Sequence, residues 1–391
     1  MPPRRPPRRE SRPRPSTRRQ DRTTAATRRP QPASAPASAP ASAAAASDRT
    51  AVELAVAPGL DDLALNELRE LARRAHYRLG EVVARADALT LAWPGDVAEL
   101  HALRTVQSVA RLWRFEVPRP KALLDNTTQR VLLRGLGELA ERERFHALRF
   151  SAAGRESAVM QRLASALADG VGLPRDDEDG DLLVRVRAGA AGGWEVLART
   201  TPRPLSVRPW RVCDRPGGID AALAAALVRL AGVHAGDRVA NPMLGSGTLL
   251  IERALAGAAA ALHGVDVDPE AVTCARRNAA AAGVLERLDL RVGDALDGPQ
   301  RQRYELQLVD PPWGDALGRH DDNTALHAAV LHAAARNAVQ GGRLLLVTHE
   351  VRLAERLLGD QQLWLVRHAR RVWQGGHRPL CVLLERLPGR V

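Results

Sequence analysis

Asp310, Pro311, Pro312 and Trp313 follow the apolar run Leu306-Gln307-Leu308-Val309, so a carboxylate, two prolines and a large ring occupy four consecutive positions. This set suits one task, holding a planar base by its exocyclic amine while a methyl group is delivered to the nitrogen. The lone pair of a purine amine is delocalised into the ring, so that nitrogen is a poor nucleophile until its N–H groups are gripped and turned. The Asp310 carboxylate and the Pro311 carbonyl are acceptors for that grip, and Pro312 and Trp313 would meet the base. A stack of a base on Trp313 is worth ~1–3 kcal/mol. Proline lacks an N–H and fixes φ, which keeps the turn stiff and its carbonyls aimed. Alone, the tetrapeptide reads equally as a strand-ending turn, because Asp-Pro and Pro-Pro are ordinary loop punctuation.

A second constellation lies upstream. Asn241-Pro242-Met243-Leu244-Gly245-Ser246-Gly247-Thr248 leaves a strand and opens a helix, and its glycines let backbone approach a ligand closely. Asp266 follows twenty-one residues after Gly245, at the end of the next strand, where it can bind ribose hydroxyls. Asp294, after the third strand, is placed to take an adenine amine. Asn241, Gly245, Ser246, Gly247, Asp266 and Asp294 are thus the expected cofactor contacts. A dinucleotide fingerprint would need glycine where Leu250 stands, and no phosphate-gripping loop with Gly-Lys-Ser/Thr is present. With Asp310-Pro311-Pro312-Trp313 on the fourth strand, S-adenosylmethionine is the cofactor that fits.

The elements that must hold these residues alternate helix and strand from Ile219, the mark of a doubly wound α/β sheet. Strands are predicted over Arg238–Asn241, Ala261–Asp266, Leu288–Val292, Glu305–Asp310, Arg343–Thr348, Leu363–Ala369 and Leu380–Leu387. Helices are predicted over Ile219–Ala231, Thr248–Ala258, Pro269–Ala282, Thr324–Val339 and Arg352–Leu358. The last two strands lack a helix between them, which predicts an antiparallel hairpin at one edge. Asp321-Asp322-Asn323 reads as a helix N-cap region. His349-Glu350, near the sheet's carboxyl edge, reads as a base contact or as helix capping and loop packing.

The part before this sheet has a different pattern. Residues 51–120 read as a small ferredoxin-like βαββαβ unit, with a helix expected over Val97–Leu112. Residues 121–200 read as a second α+β unit. Arg199 to Arg215 forms a connector in which Arg203, Arg208 and Arg211 alternate with prolines and Trp210. It suits either a rigid RNA-contacting surface or an interdomain packing linker.

Charge is unevenly spread. Of the net +12, residues 1–50 hold +9, from 12 arginines against Glu10, Asp21 and Asp48. This Arg/Pro/Ala-rich segment cannot bury enough apolar surface to offset its ordering entropy and is expected to be disordered. It reads as a source of sequence-independent attraction to RNA or as a dispensable tail. Lys121 is the only lysine, a bias that codon usage in a GC-rich genome explains. Cys213, Cys274 and Cys381 show no metal spacing, and their odd count predicts reduced thiols and a cytoplasmic protein. No apolar run reaches the ~20 residues that cross a bilayer, so no membrane partner is expected. His320, His327 and His332 lack carboxylates at metal spacing, so no metal is expected either.

On these motifs, residues 51–391 resemble the THUMP-domain RNA methyltransferases that modify the N2 amine of guanosine. The resemblance implies a ferredoxin-like domain over 51–120, a THUMP RNA-binding domain over 121–200, a basic linker over 201–218 and a Rossmann-like methyltransferase domain over 219–391. It implies that Gly245, Ser246, Gly247, Asp266 and Asp294 line the S-adenosylmethionine pocket and that residues 310–313 hold the target base. The expected substrate is tRNA, with the sixth, acceptor-stem guanosine preferred, and the expected state is a monomer. Guanosine 10 of tRNA, a guanosine of large-subunit rRNA, an adenine or protein-amide substrate, and a non-catalytic RNA-binding protein are the alternatives. One departure stands out. The family usually carries Asp where this chain has Asn241, and Asn keeps one carbonyl acceptor but loses the charge, so weaker cofactor binding is expected.

Overall fold

The computed structural model describes residues 49–294, 296, 303–312 and 320–389, with side chains of the last segment from Thr324. The basic segment before Arg49 and the expected stacking residue Trp313 lie outside the described residues.

The N-terminal half contains β1 (Thr50–Ala55), α1 (Asp61–Arg74), β2 (Val82–Arg85), β3 (Ala88–Trp93) and β4 (Ser108–Phe115). It continues with α2 (Asn126–Arg142), β5 (Leu148–Ala152), α3 (Ala158–Val171), β6 (Leu182–Ala188) and β7 (Trp194–Arg199). All seven strands join in one sheet of order β2-β3-β1-β4-β7-β6-β5, so the segments expected as two units share a ladder where β4 meets β7. The helix expected over Val97–Leu112 is replaced by a short 3₁₀ turn, Val97–Ala102, capped by Asp96, and by β4. Leu100, Leu103, Val106 and Val109 are spaced as a helix face would be. Ladder hydrogen bonds to β1 on one side and β7 on the other outweigh that local signal.

Two apolar cores support this sheet. Leu132, Leu136, Phe150, Leu163 and Val184 form one beneath α2 and α3. Leu54, Leu68, Trp93 and Val109 form the other, which runs on without a break into Leu227 and Val228 of the C-terminal half.

That half contains α4 (Ala221–Ala231), β8 (Arg238–Asn241), α5 (Thr248–Ala256), β9 (Ala261–Asp266), α6 (Pro269–Ala281) and β10 (Asp289–Val292). After these come β11 (Tyr304–Val309), α7 (His320–Asn337), β12 (Ala338–Thr348), α8 (Val351–Asp360), β13 (Trp364–Arg371) and β14 (Leu380–Arg386). The sheet order is β10-β9-β8-β11-β12-β14-β13, the Rossmann-like arrangement with its order reversing between β8 and β11. Ligands of open α/β sheets bind at the carboxyl ends of strands at such a reversal. The predicted hairpin is present, but β14 lies inside the sheet, antiparallel to both β12 and β13. Its run Leu380-Cys381-Val382-Leu383-Leu384 is buried throughout, whereas β13 exposes Arg367 and Arg371, so the apolar strand goes inside and the charged one guards the edge. The helix α7 opens at His320, so Asp321-Asp322-Asn323 lie in its first turn and not ahead of it.

Among the described residues no helix is long and apolar enough to cross a membrane, and no group of His, Cys, Asp and Glu could hold a metal.

Candidate active site

The β8–α5 turn is built by its glycines. Gly245 (φ +53) and Gly247 (φ +82) take left-handed conformations that other residues rarely adopt. A Cβ on Gly247 would stand 3.0 Å from the Ala275 Cβ, so this glycine lets the turn pack on α6. A Cβ on Gly245 would meet nothing within 4 Å, which leaves its backbone open to a ligand. The Leu244 N–H donates to the Val265 carbonyl at 3.0 Å and ties the turn to β9.

Asp266, the last residue of β9, reaches back to that turn. Its Oδ2 accepts from the Gly245 N–H at 2.8 Å and its Oδ1 from the Asp268 N–H at 3.0 Å. Two amides therefore fix the carboxylate while lone pairs remain for a ligand's hydroxyls. Asp294 is exposed, and its Oδ1 accepts from the Leu296 N–H at 2.8 Å. Ser246 is buried, with Oγ 3.1 Å from the Thr248 hydroxyl oxygen.

Asn241 ends β8 and Asp310 directly follows β11, the two strands that flank the reversal. The Asn241 Nδ2 donates to the Leu308 carbonyl of β11 at 2.7 Å, closing the gap between the strand tips. Among the described residues its buried Oδ1 has no partner, and neither has the buried Oδ1 of Asp310. Burial pushes the Asp310 carboxyl up to about 7. Unsatisfied buried acceptors are costly, and two at the mouth of one crevice mark a place where a donor-bearing ligand would repay the cost.

These residues face one cavity of about 820 Å³. Asn241, Gly245, Ser246, Asp266, Asp294, Asp310, Pro311 and Pro312 all line it. Gly247, also expected to contact the cofactor, is not among the lining residues and packs the turn against Ala275 of α6.

The connector resolves into separate roles. Arg208, expected to contact RNA, is buried, and its Nε donates to Glu252 at 3.0 Å. Glu252 also accepts from the Arg104 Nε at 2.8 Å, so this carboxylate on α5 fastens connector and N-terminal half together. A guanidinium so enclosed cannot reach phosphate. Arg211 is largely spent on Asp214 (2.6 Å) and the Ile219 carbonyl (2.9 Å). Arg203 is exposed.

Sequence reasoning missed Arg215, which lines the cavity together with Gly217, Gly218 and Ile219 and pairs with Asp268. The available signal was Asp268 two residues after Asp266, capping α6 through the Glu270 N–H at 2.8 Å. The expectation of three reduced thiols also fails. Cys213 and Cys274 form a disulfide with a Cα–Cα distance of 5.4 Å, leaving Cys381 as a buried free thiol. Asn278 reinforces that junction, accepting from the Cys213 N–H at 2.9 Å and donating to the carbonyls of Cys213 and Ser246. The cavity wall at 215–219 is thereby anchored to α6. His349 lies with its ring centroid 5.5 Å from that of His377, beside the strand ends.

Residues 208–379 match the family described as UPF0020, RMKL-like methyltransferase domain. Over 356 residues the chain is 31% identical to tRNA (guanine(6)-N2)-methyltransferase of Thermus thermophilus, covering 86% of this chain and 99% of that one. It is 26% identical to the tRNA (guanine(6)-N2)-methyltransferase of Archaeoglobus fulgidus over 44% of this chain and 50% of that one. The crystal structure of TrmN from Thermus thermophilus superposes with a TM-score of 0.68 at 27% identity, covering 86% of this chain and all of that one.

Strand order, the cavity at the reversal and the matched domain place the molecule among the Rossmann-like, S-adenosylmethionine-dependent methyltransferases. Similarity along nearly the whole length of the first relative is more specific. The chain belongs to the family of the tRNA guanine-N2-methyltransferases.

Proposed function

We propose that this enzyme methylates the exocyclic N2 amine of a guanosine in tRNA, with guanosine 6 of the acceptor stem as its target. The observation that carries the reading is Asp310, whose buried Oδ1 lacks a partner among the described residues and which shares one cavity with Gly245 and Asp266. The chemistry of the donor set fits the cofactor: the open Gly245 backbone, the pinned Asp266 carboxylate, the accessible Asp294 and the orphaned Asn241 acceptor. S-adenosylmethionine supplies an electrophilic methyl group when bound there.

In this reading Asp266 accepts from the ribose hydroxyls and Asp294 from the adenine amine. Val267, exposed and lining the cavity, offers an apolar face to a flat ring. The Asp310 carboxylate and the Pro311 carbonyl accept the two N–H groups of the guanine amine, which turns its lone pair away from the ring plane. The N–H acidity rises once the nitrogen is alkylated, so Asp310 needs to hold the proton only after methyl transfer. Positioning and pre-organised electrostatics then supply most of the acceleration. Trp313 would stack on the guanine.

The N-terminal half serves as a THUMP-like docking unit that holds tRNA by shape and phosphate contacts and sets the distance to the cavity. The target guanosine leaves its stack at a cost of roughly a few kcal/mol. Asn241 gives the cofactor one neutral acceptor in place of a carboxylate, and binding weaker than in an Asp-bearing relative follows.

The test is methylation of a tRNA transcript by the purified enzyme, read by nucleoside mass spectrometry and position mapping. N2-methylguanosine at position 6 is expected, and a transcript with adenosine there should stay unmodified. Product only at position 10, or only in rRNA, overturns the choice of target. Absence of S-adenosylmethionine binding by calorimetry would overturn the catalytic reading altogether.

A further inference from the structure

The connection between β13 and β14 forms a stiff hairpin at the cavity end of the sheet. Thr348, which ends β12, pairs with Leu380, which opens β14, so the preceding loop stands at the carboxyl ends of the parallel strands. Gln374 and His377 exchange both backbone hydrogen bonds, at 2.9 and 2.8 Å. Gly375 (φ +53) and Gly376 (φ +86) fill the two left-handed central positions, the geometry of a type I′ turn.

This tip is fastened on two sides. Arg370 donates to the Gly59 carbonyl at 3.0 Å and to Asp62 at 2.8 Å, and a Cβ on Gly59 would stand 2.9 Å from the Arg371 carbonyl oxygen. On the other side the Gln374 Nε2 lies 3.5 Å from the carbonyl oxygen of Gly218, a residue of the cavity wall. The hairpin thus bridges the first turn of the N-terminal half and the rim of the active site.

At that bridge Trp373 is 48% exposed. Trp93, Trp210 and Trp364 are buried and Trp113 and Trp194 half-buried, so no other described aromatic residue is as open to solvent. No carboxylate occurs from Arg367 to Pro379. Arg367 and Arg370 are paired with Glu385 and Asp62, whereas Arg371 and Arg378 have no ion pair among the described residues. The Arg371 Nε donates to the Arg378 carbonyl at 2.7 Å, which leaves its terminal nitrogens free of ion pairs among the described residues and sets both guanidinium groups on the same hairpin as the half-exposed indole. The hairpin offers a π-face and phosphate forks, the two things an unstacked nucleotide strand needs. A protein-docking patch would present exposed apolar residues beside the ring, and here the exposed residues of the hairpin are Arg, Gly and His, with Val372 and Pro379 buried.

We infer that the Val372–Pro379 hairpin is a second RNA-contacting element. Trp373 stacks on the base next to the nucleotide drawn into the cavity, and Arg371 and Arg378 meet the flanking phosphates. This rests on the RNA-methyltransferase reading given above. The partner is an RNA strand opened by extrusion of the target, so the hairpin acts on RNA binding and not on the cofactor.

The experiment measures steady-state methylation of the tRNA transcript by wild type, Trp373→Ala, Trp373→Phe and Arg378→Ala, with S-adenosylmethionine affinity by calorimetry. Trp373→Ala should raise KM for tRNA about tenfold, the size expected for losing one aromatic–base stack, with cofactor Kd unchanged. Trp373→Phe should recover most of that loss. Arg378→Ala should reduce the salt dependence of tRNA binding by about one phosphate contact. An active wild type with an unchanged KM in Trp373→Ala sinks the hairpin assignment and leaves the methyltransferase reading standing. A wild type that modifies no guanosine sinks the latter. If Trp373→Ala abolishes self-association in sedimentation while tRNA KM holds, the ring serves a protein interface and the inference is wrong. Should Trp373→Ala fold poorly by circular dichroism, the Phe and Arg378 variants decide.

Discussion

Glu53 and Glu195 in the N-terminal sheet and Asp310 at the tip of β11 show two opposite fates of a buried carboxylate, with Asp237 beside β8 sharing the first through Arg343. In the N-terminal sheet Glu53 and Glu195 are both buried, and both are answered by Arg187, with Arg114 adding a second partner to Glu195. Burial alone would raise the Glu195 carboxyl, but hydrogen bonds from Arg187 and Arg114 outweigh it and hold the group below its ordinary value. In the C-terminal sheet Asp310 has no such answer and is pushed up to about 7. The contrast follows from topology. The mixed N-terminal sheet presents long side chains across neighbouring strands, where opposite charges meet. The parallel sheet ends its strands together at the order reversal and leaves their last polar groups facing a crevice. A satisfied buried charge builds structure, and an unsatisfied one at a strand tip marks chemistry.

The largest expected effect breaks the site half of this comparison. Asp310→Ala should lower kcat by about 10³-fold or more, comparable to losing a pre-organised transition-state group, with cofactor Kd nearly unchanged. Its thermal midpoint should not fall, because an unpartnered buried carboxylate is removed. Loss of cofactor binding, or a melted protein, would erase the distinction between the sheets.

Next comes the structural half. Arg187→Ala strands the buried Glu53, leaves Glu195 with Arg114 alone, and should cost about 3–5 kcal/mol, measured by urea denaturation, with specific activity of the folded fraction retained. A loss under 1 kcal/mol would mean that the N-terminal charges are as independent as Asp310. Cys274→Ser opens a loop spanning 61 residues and should cost about 2–4 kcal/mol. Because the disulfide holds the wall at 215–219, cofactor affinity should weaken with it, and an unchanged affinity would show that Asn278 alone fixes the wall.

Acidity separates the sheets more gently. Activity should fall about tenfold per pH unit below 7 as Asp310 is protonated, with a flat profile counting against the carboxylate as acceptor. Stability has the opposite sign there. The folded Asp310 holds its proton above the unfolded value, so its contribution to stability is full at low pH and is lost as pH rises towards 7. Glu195 has a lowered value, so its contribution is present at neutral pH and is lost as pH falls through the folded value. Denaturation of Asp310→Ala and Glu195→Gln across pH should show slopes of opposite sign relative to wild type.

Much of this was legible in the chain. The strands Arg238–Asn241 and Ala261–Asp266 stand where the apolar runs predict them, and Gly245, Asp266, Asp294 and Asp310 meet in one cavity as their strand-end positions require. The failures share one cause. Arg208 looked like a phosphate fork because sequence shows its charge but not Glu252, 44 residues on, that encloses it. The Val97–Leu112 segment lost its helix to ladders with β1 and β7, both far away in the chain.

By itself the sequence determined the alternation of helix and strand, the glycine turn and the carboxylates at three strand ends, since these rest on local periodicity and backbone freedom. Tertiary structure alone decided which charges are spent and which are left to act. It paired Cys213 with Cys274, sank Arg208, placed β14 inside the sheet and left the Asp310 and Asn241 acceptors unanswered. Burial and charge pairing are properties of neighbours in space, and the chain brings those neighbours together only when it folds.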